Sequence, residues 1–238
     1  MKIKLYGTGS ALAVEEGPAF LIDDTILVDA PEGIGKKLLA DGVFPGLVLI
    51  THFHADHDFG LPMLICQKNW RGKENFTVIA PKSAKNRYTQ LLGHTNYGHA
   101  SEILPDFIEI DENLIQNGIE ILGYGVKIFM LDHGVAGDID VFGYLVSNGE
   151  KAVCFTGDAV LTPGLKSMCE AADLAFVDTS GSPPHGKPKG HMDIDDFKSL
   201  VADLPGTKFV PVHLGDDTRM DLEKMGVKTP KIFETFDI

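Results

Sequence analysis

The chain has 238 residues, 44% of them hydrophobic, enough to bury a sizeable core as one α/β domain spanning residues 1–238. No apolar run approaches the roughly 18 residues of a membrane span, and the first residues lack a signal peptide's apolar core and cleavage site, so a cytoplasmic protein with no membrane partner is expected. A formal net charge of −13 without any Lys/Arg-rich run creates a long-range field that repels polyanions, which disfavours long nucleic acids as partners.

Apolar runs bounded by turn residues predict strands at 2–6, 19–22 and 25–28, a helix over 33–40 and a strand at 47–50. A histidine-bearing loop follows, then a helix over 61–69, a strand at 76–79 and a helix opening at 81–82. Residues 94–105 carry no readable periodicity. Strands resume at 119–122, 126–131, 141–146 and 152–155, after which helices (163–171, 194–204) alternate with strands (174–177, 209–212). Two β-rich halves with helices outside imply a layered α/β sandwich. Cys66, Cys154 and Cys169 form no CxxC pair, are odd in number and sit in apolar surroundings, as reduced core thiols do.

The densest chemical signal is Thr51-His52-Phe53-His54-Ala55-Asp56-His57, where an apolar strand runs into four metal-ligand side chains. Residues two apart on an extended segment face one side, so His52 and His54 converge on one ion, and the following turn can aim Asp56 and His57 at a second. Imidazole and carboxylate donors of this kind suit zinc, with manganese or iron as alternatives. Two ions need further ligands, and three candidates each follow an apolar strand: His133, Asp158 and His213.

This ordered set, HxHxDH followed by a distant His, an Asp and a final His, resembles the metallo-β-lactamase superfamily. The resemblance implies a four-layer αββα sandwich and two divalent metal ions. It assigns His52, His54 and His133 to one ion, Asp56, His57 and His213 to the other, and Asp158 as the bridge. Within the superfamily the chain resembles the ribonuclease Z-like branch and its small cyclic-phosphodiesterase relatives, on Gly7-Thr8-Gly9-Ser10, Gly60-Leu61-Pro62 and Gly190-His191. His54, where flavodiiron proteins of this fold carry an acid, argues for hydrolysis over redox chemistry. Three departures accompany the match. The interval from His133 to Asp158 leaves no room for a long tRNA-gripping arm, Asp29-Ala30-Pro31-Glu32-Gly33 replaces an Asp-x-Gly-Glu-Gly turn, and Val177-Asp178-Thr179-Ser180 replaces His-Glu-Ala-Thr.

The expected activity is therefore a phosphodiesterase acting on a small or cyclic phosphate ester through a metal-bridging hydroxide. The candidate catalytic residues are Asp56, also a ligand, and His191, which matches the branch's non-ligand histidine and would protonate the leaving alkoxide. Lys187 and Lys189 are candidate phosphate contacts, and Asp29 and Glu32 are candidate supports for ligand histidines. Hydrolysis of a lactone, thioester or β-lactam carbonyl is the alternative, ahead of tRNA 3′-end cleavage or a non-catalytic metal-bound role. The sequence leaves the oligomeric state open, a homodimer included.

Overall fold

The computed structural model of the protein describes residues 1–72, 75–94, 100–134, 139–181 and 190–238. The first half alternates strands and helices: β1 (Lys2–Gly7), β2 (Ala19–Ile22), β3 (Ile26–Val28), α1 (Ile34–Ala40), β4 (Leu47–Leu49), α2 (Ala55–Asp58), α3 (Leu61–Trp70), β5 (Thr77–Ala80), α4 (Ala84–His94), α5 (Ala100–Ile103) and β6 (Asp106–Glu109). The second half runs through α6 (Glu112–Asn117), β7 (Ile119–Ile121), β8 (Tyr124–Leu131), β9 (Val141–Ser147), β10 (Ala152–Phe155), α7 (Pro163–Glu170), β11 (Leu174–Asp178), α8 (Ile194–Asp203), β12 (Lys208–Val212), α9 (Asp216–Lys224) and β13 (Thr235–Asp237).

The strands form two sheets, ordered β13-β1-β2-β3-β4-β5-β6 and β12-β11-β10-β9-β8-β7. Side chains alternate across each strand, and the two faces bury into different layers. On β4, Leu47 and Leu49 join Ile3, Leu5, Phe155, Phe176 and Val212 in the core between the sheets. Val48 and Ile50 point the other way, under Leu38 of α1, Leu64 of α3 and Tyr88 of α4. On the second sheet, Cys154, Ala175 and Val177 face Leu165, Met168 and Cys169 of α7 and Phe197 and Leu200 of α8. The result is the expected αββα sandwich. Strands buried on both faces explain why they read as continuous apolar runs.

Several elements escape the periodicity of the sequence. Asp106-Phe107-Ile108-Glu109 is too short and too charged at its ends to read as a strand, yet it pairs in parallel with β5 at the sheet edge. Helix α6 starts from Asp111, whose side chain accepts the Leu114 amide at 2.8 Å. The C-terminal β13 closes the opposite edge of the first sheet against β1. Within the stretch 94–105, α5 is seen, whereas residues 95–99 lie outside the described residues. The three cysteines are buried and free, with Cys154 and Cys169 Sγ atoms 3.9 Å apart.

Candidate metal centre

Sheet topology brings the candidate ligands together, because each lies just beyond the end of a strand. Beyond β4 the buried chain continues through Ile50, Thr51 and His52, all 0% exposed. His54 then caps α2 in an extended conformation, and this short helix, where the sequence suggests a turn, carries Asp56 and His57. His133 follows β8, Asp158 follows β10 and His213 follows β12. Gly157, just before Asp158, has a φ of 56°, and a Cβ there would lie 2.8 Å from Thr51 Cβ, so the two motifs abut only because this position is glycine. His213 itself adopts a φ of 57°, an uncommon conformation for a residue with a side chain and one met at functional sites.

Asp158 sits at the middle. Its Oδ2 faces His52 Nε2 at 3.5 Å and His54 Nδ1 at 4.0 Å. Its Oδ1 faces His57 Nε2 at 3.1 Å and His213 Nε2 at 3.4 Å. His213 Nε2 is also 3.2 Å from Asp56 Oδ2. Two ligand groups result, His52, His54, His133 and Asp158 on one side and Asp56, His57 and His213 on the other. Asp158 offers one oxygen to each.

The ring tautomers are fixed from behind. His133 Nδ1 donates to the Gly190 carbonyl at 2.7 Å, and His57 Nδ1 donates to Asp29 Oδ2 at 2.7 Å. Thr51 Oγ1 gives its proton to Asp29 and lies 3.0 Å from His52 Nδ1, which it can therefore accept. Ser180 Oγ, donating to Asp178 at 2.6 Å, does the same for His213 Nδ1. With these Nδ1 protons committed, the Nε2 lone pairs of four histidines point inward. Among the described residues, His52 Nε2, His57 Nε2 and His133 Nε2, with Asp158 Oδ1 beside them, are buried without a hydrogen-bond partner. Orphaned buried polar atoms each cost about 1–3 kcal/mol. A cation coordinated by them removes that cost, so the residues present fit divalent metal ions.

Electrostatics point the same way. Burial lowers the His213 pKa, but the carboxylates of Asp158, Asp178 and Asp56 outweigh it and lift the ring to about 10. His57 is likewise pushed well above its ordinary value by Asp158 and Asp29 against the effect of burial. His52, where burial dominates and His57 adds repulsion, falls to about 4. At His57 and His213 the carboxylates thus favour positive charge, and protons and metal ions compete for these positions.

His191 stands apart from both ligand groups. Its Nδ1 is 2.8 Å from Asp178 Oδ2, and its ring lies between those of His133 and His213, at 4.7 and 5.1 Å. Asp178 is wholly buried and spends its oxygens on His191, Ser180 and the Ala159 amide. Although Asp158, Asp178, His191 and His213 also lie close enough to share an ion, this prior engagement makes Asp178 a support. The sequence reading counts Asp178 and Ser180 only among departures from a motif. A buried acid ending a strand is the signal that could have found them. Asp29 takes its expected place behind His57, but Glu32 is exposed and touches no ligand. Lys187 and Lys189 lie outside the described residues. No helix among the described residues is long and apolar enough to cross a membrane.

Fold and site together define the class: a metallo-β-lactamase-type αββα sandwich with a histidine- and aspartate-lined candidate metal centre. Residues 25–214 match the family described as the β-lactamase superfamily domain, and the chain belongs to that family. It is 30% identical over 183 residues to ribonuclease Z from Staphylococcus carnosus, an alignment covering 70% of this chain and 57% of that protein. The chain spans about 60% of the length of such relatives. Among solved structures, the human tRNase Z, short form, superposes with a TM-score of 0.78 at 19% identity, covering 100% of this chain and 99% of that one. A diphosphatase from the PhnP family gives 0.74 at 16% identity, covering 100% and 97%. These structural likenesses establish the fold, which implies divalent metal ions.

The curated relatives correct one expectation. Proteins named ribonuclease Z take RNA by name, so net acidity does not disfavour long nucleic acids here. The physical reason is that a net charge of −13 sets the distant field. Attraction at contact is set by the local charges, metal ions among them.

Proposed function

We propose that the chain is a metal-dependent hydrolase that cleaves phosphodiesters at a centre of two divalent ions, zinc first among the candidates, working as one domain over residues 1–238. His52, His54 and His133 would hold one ion, Asp56, His57 and His213 the other, with Asp158 shared. Bound there, the ions supply a water activated at neutral pH and neutralise charge on the phosphoryl oxygens.

The observation that carries the phosphodiester reading is the Asp178–His191 pair, a proton donor beside the ligands but not one of them. Burial lowers the His191 pKa, and the Asp178 carboxylate outweighs this and raises it above the ordinary imidazole value, which favours the protonated ring. An alkoxide leaving group needs that proton. The Nδ1 contact with Asp178 leaves Nε2 as the donating atom. The names of the relatives, ribonuclease Z and a PhnP-family diphosphatase, support phosphoryl chemistry over carbonyl hydrolysis.

The test is a substrate panel on one metal-loaded preparation: an aryl phosphodiester, cyclic nucleotides, an oligoribonucleotide, a lactone, a thioester and a β-lactam. The phosphodiesters should give the highest kcat/KM. A carbonyl ester in first place would overturn the reading.

A further inference from the structure

Four of the proposed ligand rings are held from behind: His52 by Thr51, His57 by Asp29, His133 by the Gly190 carbonyl and His213 by Ser180. His54 and Asp56, one for each proposed ion, are different. Among the described residues, the polar partners of the Asp56 carboxylate are His213 Nε2 at 3.2 Å and His57 Nε2 at 3.7 Å, themselves proposed ligands. The His54 ring lies against those of His52 and His133, with its Nδ1 4.0 Å from Asp158 Oδ2. The aim of these two side chains therefore comes from the backbone that carries them, α2 and its N-cap.

A single helical turn has no cooperative stability of its own, so α2 takes its setting from what it packs against. On one side the His57 ring is tied to Asp29, and the Ala30 amide donates to the His57 carbonyl at 2.7 Å. On another stands Arg87 of α4. Its Nε donates to Asp58 Oδ2 at 2.7 Å and its Nη2 to the Phe53 carbonyl at 3.4 Å. The guanidinium also lies over the rings of Phe53 and Phe59, 4.9 and 5.9 Å from their centroids. Arg87 thus grips both ends of the short segment that carries His54, Asp56 and His57.

Asp58 is fully buried, directly follows His57 and belongs to neither ligand group. Its Oδ2 also accepts from Tyr88 Oη at 3.1 Å, while its Oδ1 is buried with no hydrogen-bond partner among the described residues. A buried ion pair often stabilises a fold no more than apolar residues of similar volume do, so stability alone does not account for this one. We propose that Arg87, through Asp58 and Phe53, is a positioning residue for the metal centre, setting α2 so that His54 and Asp56 reach their ions. This deepening rests on the two-ion reading above.

The test needs no substrate: zinc affinity of the chelator-stripped protein against a chromophoric competitor, and the visible spectrum of added cobalt(II), which reports coordination geometry. The double variant Arg87→Met/Asp58→Asn cuts the tie without leaving an unpaired charge buried, and without metal it should melt close to the unaltered protein. Its zinc affinity should fall about 10–100-fold, as when support behind a ligand is lost, and its cobalt spectrum should change. Asp58→Asn alone keeps an acceptor for Arg87 Nε and should regain most of the affinity. A double variant that binds both metals as the unaltered protein does would overturn the proposal, and so would one that has lost its fold without metal, since the pair would then be structural. An equal loss in Asp58→Asn would assign the effect to charge instead of position and overturn it too. An unaltered protein that binds no zinc would remove the two-ion reading itself, and the proposal with it.

Discussion

The carboxylate of Asp178 lies 2.8 Å from Nδ1 of His191, and through Ser180 it also reaches Nδ1 of His213. One buried acid therefore orients both the proposed proton donor and a proposed metal ligand. Mutations can separate these roles.

His191→Ala should keep its metals, since the ring belongs to neither ligand group on either side of Asp158. With alkoxide leaving groups the rate should fall by about 10²–10⁴-fold, the range of general acid catalysis. With p-nitrophenolate, which departs unprotonated, the loss should shrink sharply. Equal losses on both substrates would show that His191 positions substrate instead.

Asp178→Asn tests the pH dependence. His191 acts in its protonated form, so the rate holds below its pKa and falls as pH rises through it. Asp178 is the group that raises that pKa against burial. Replacing it by Asn lowers the pKa and should move the descending limb of the rate profile to lower pH. Metal content is measured on the same sample, because His213 also leans on Asp178 through Ser180. A limb that stays in place with metals retained would remove His191 as the acid.

Asp158→Ala takes away a side chain placed to serve both proposed ions, with Oδ2 toward His52 and Oδ1 toward His57. Elemental analysis should find metal falling from about two ions per chain to one or fewer. Two ions at full occupancy in this variant would exclude Asp158 as the bridge.

Much of this arrangement is legible in the sequence for a physical reason. His52, His54, Asp56 and His57 crowd one strand end, and His133, Asp158 and His213 each end an apolar strand, so local pattern and active-site position coincide. Asp178 and Ser180 are harder to read because a single acid and a hydroxyl have many ordinary roles in loops. Only the parallel pairing of β11 with β10 and β12 sets them behind His191 and His213. Net charge misleads about nucleic acid because it averages over the whole surface. Edge elements such as β6 and β13 owe their form to the neighbouring strands they pair with.

The most direct test of a two-ion hydrolytic centre is a metal titration of the chelator-stripped protein, following hydrolysis of an aryl phosphodiester as zinc is added. The rate should climb with added metal and level off near two equivalents per chain. Hydrolysis that is already complete without metal, or that never appears at any metal ratio while zinc binds, would contradict it.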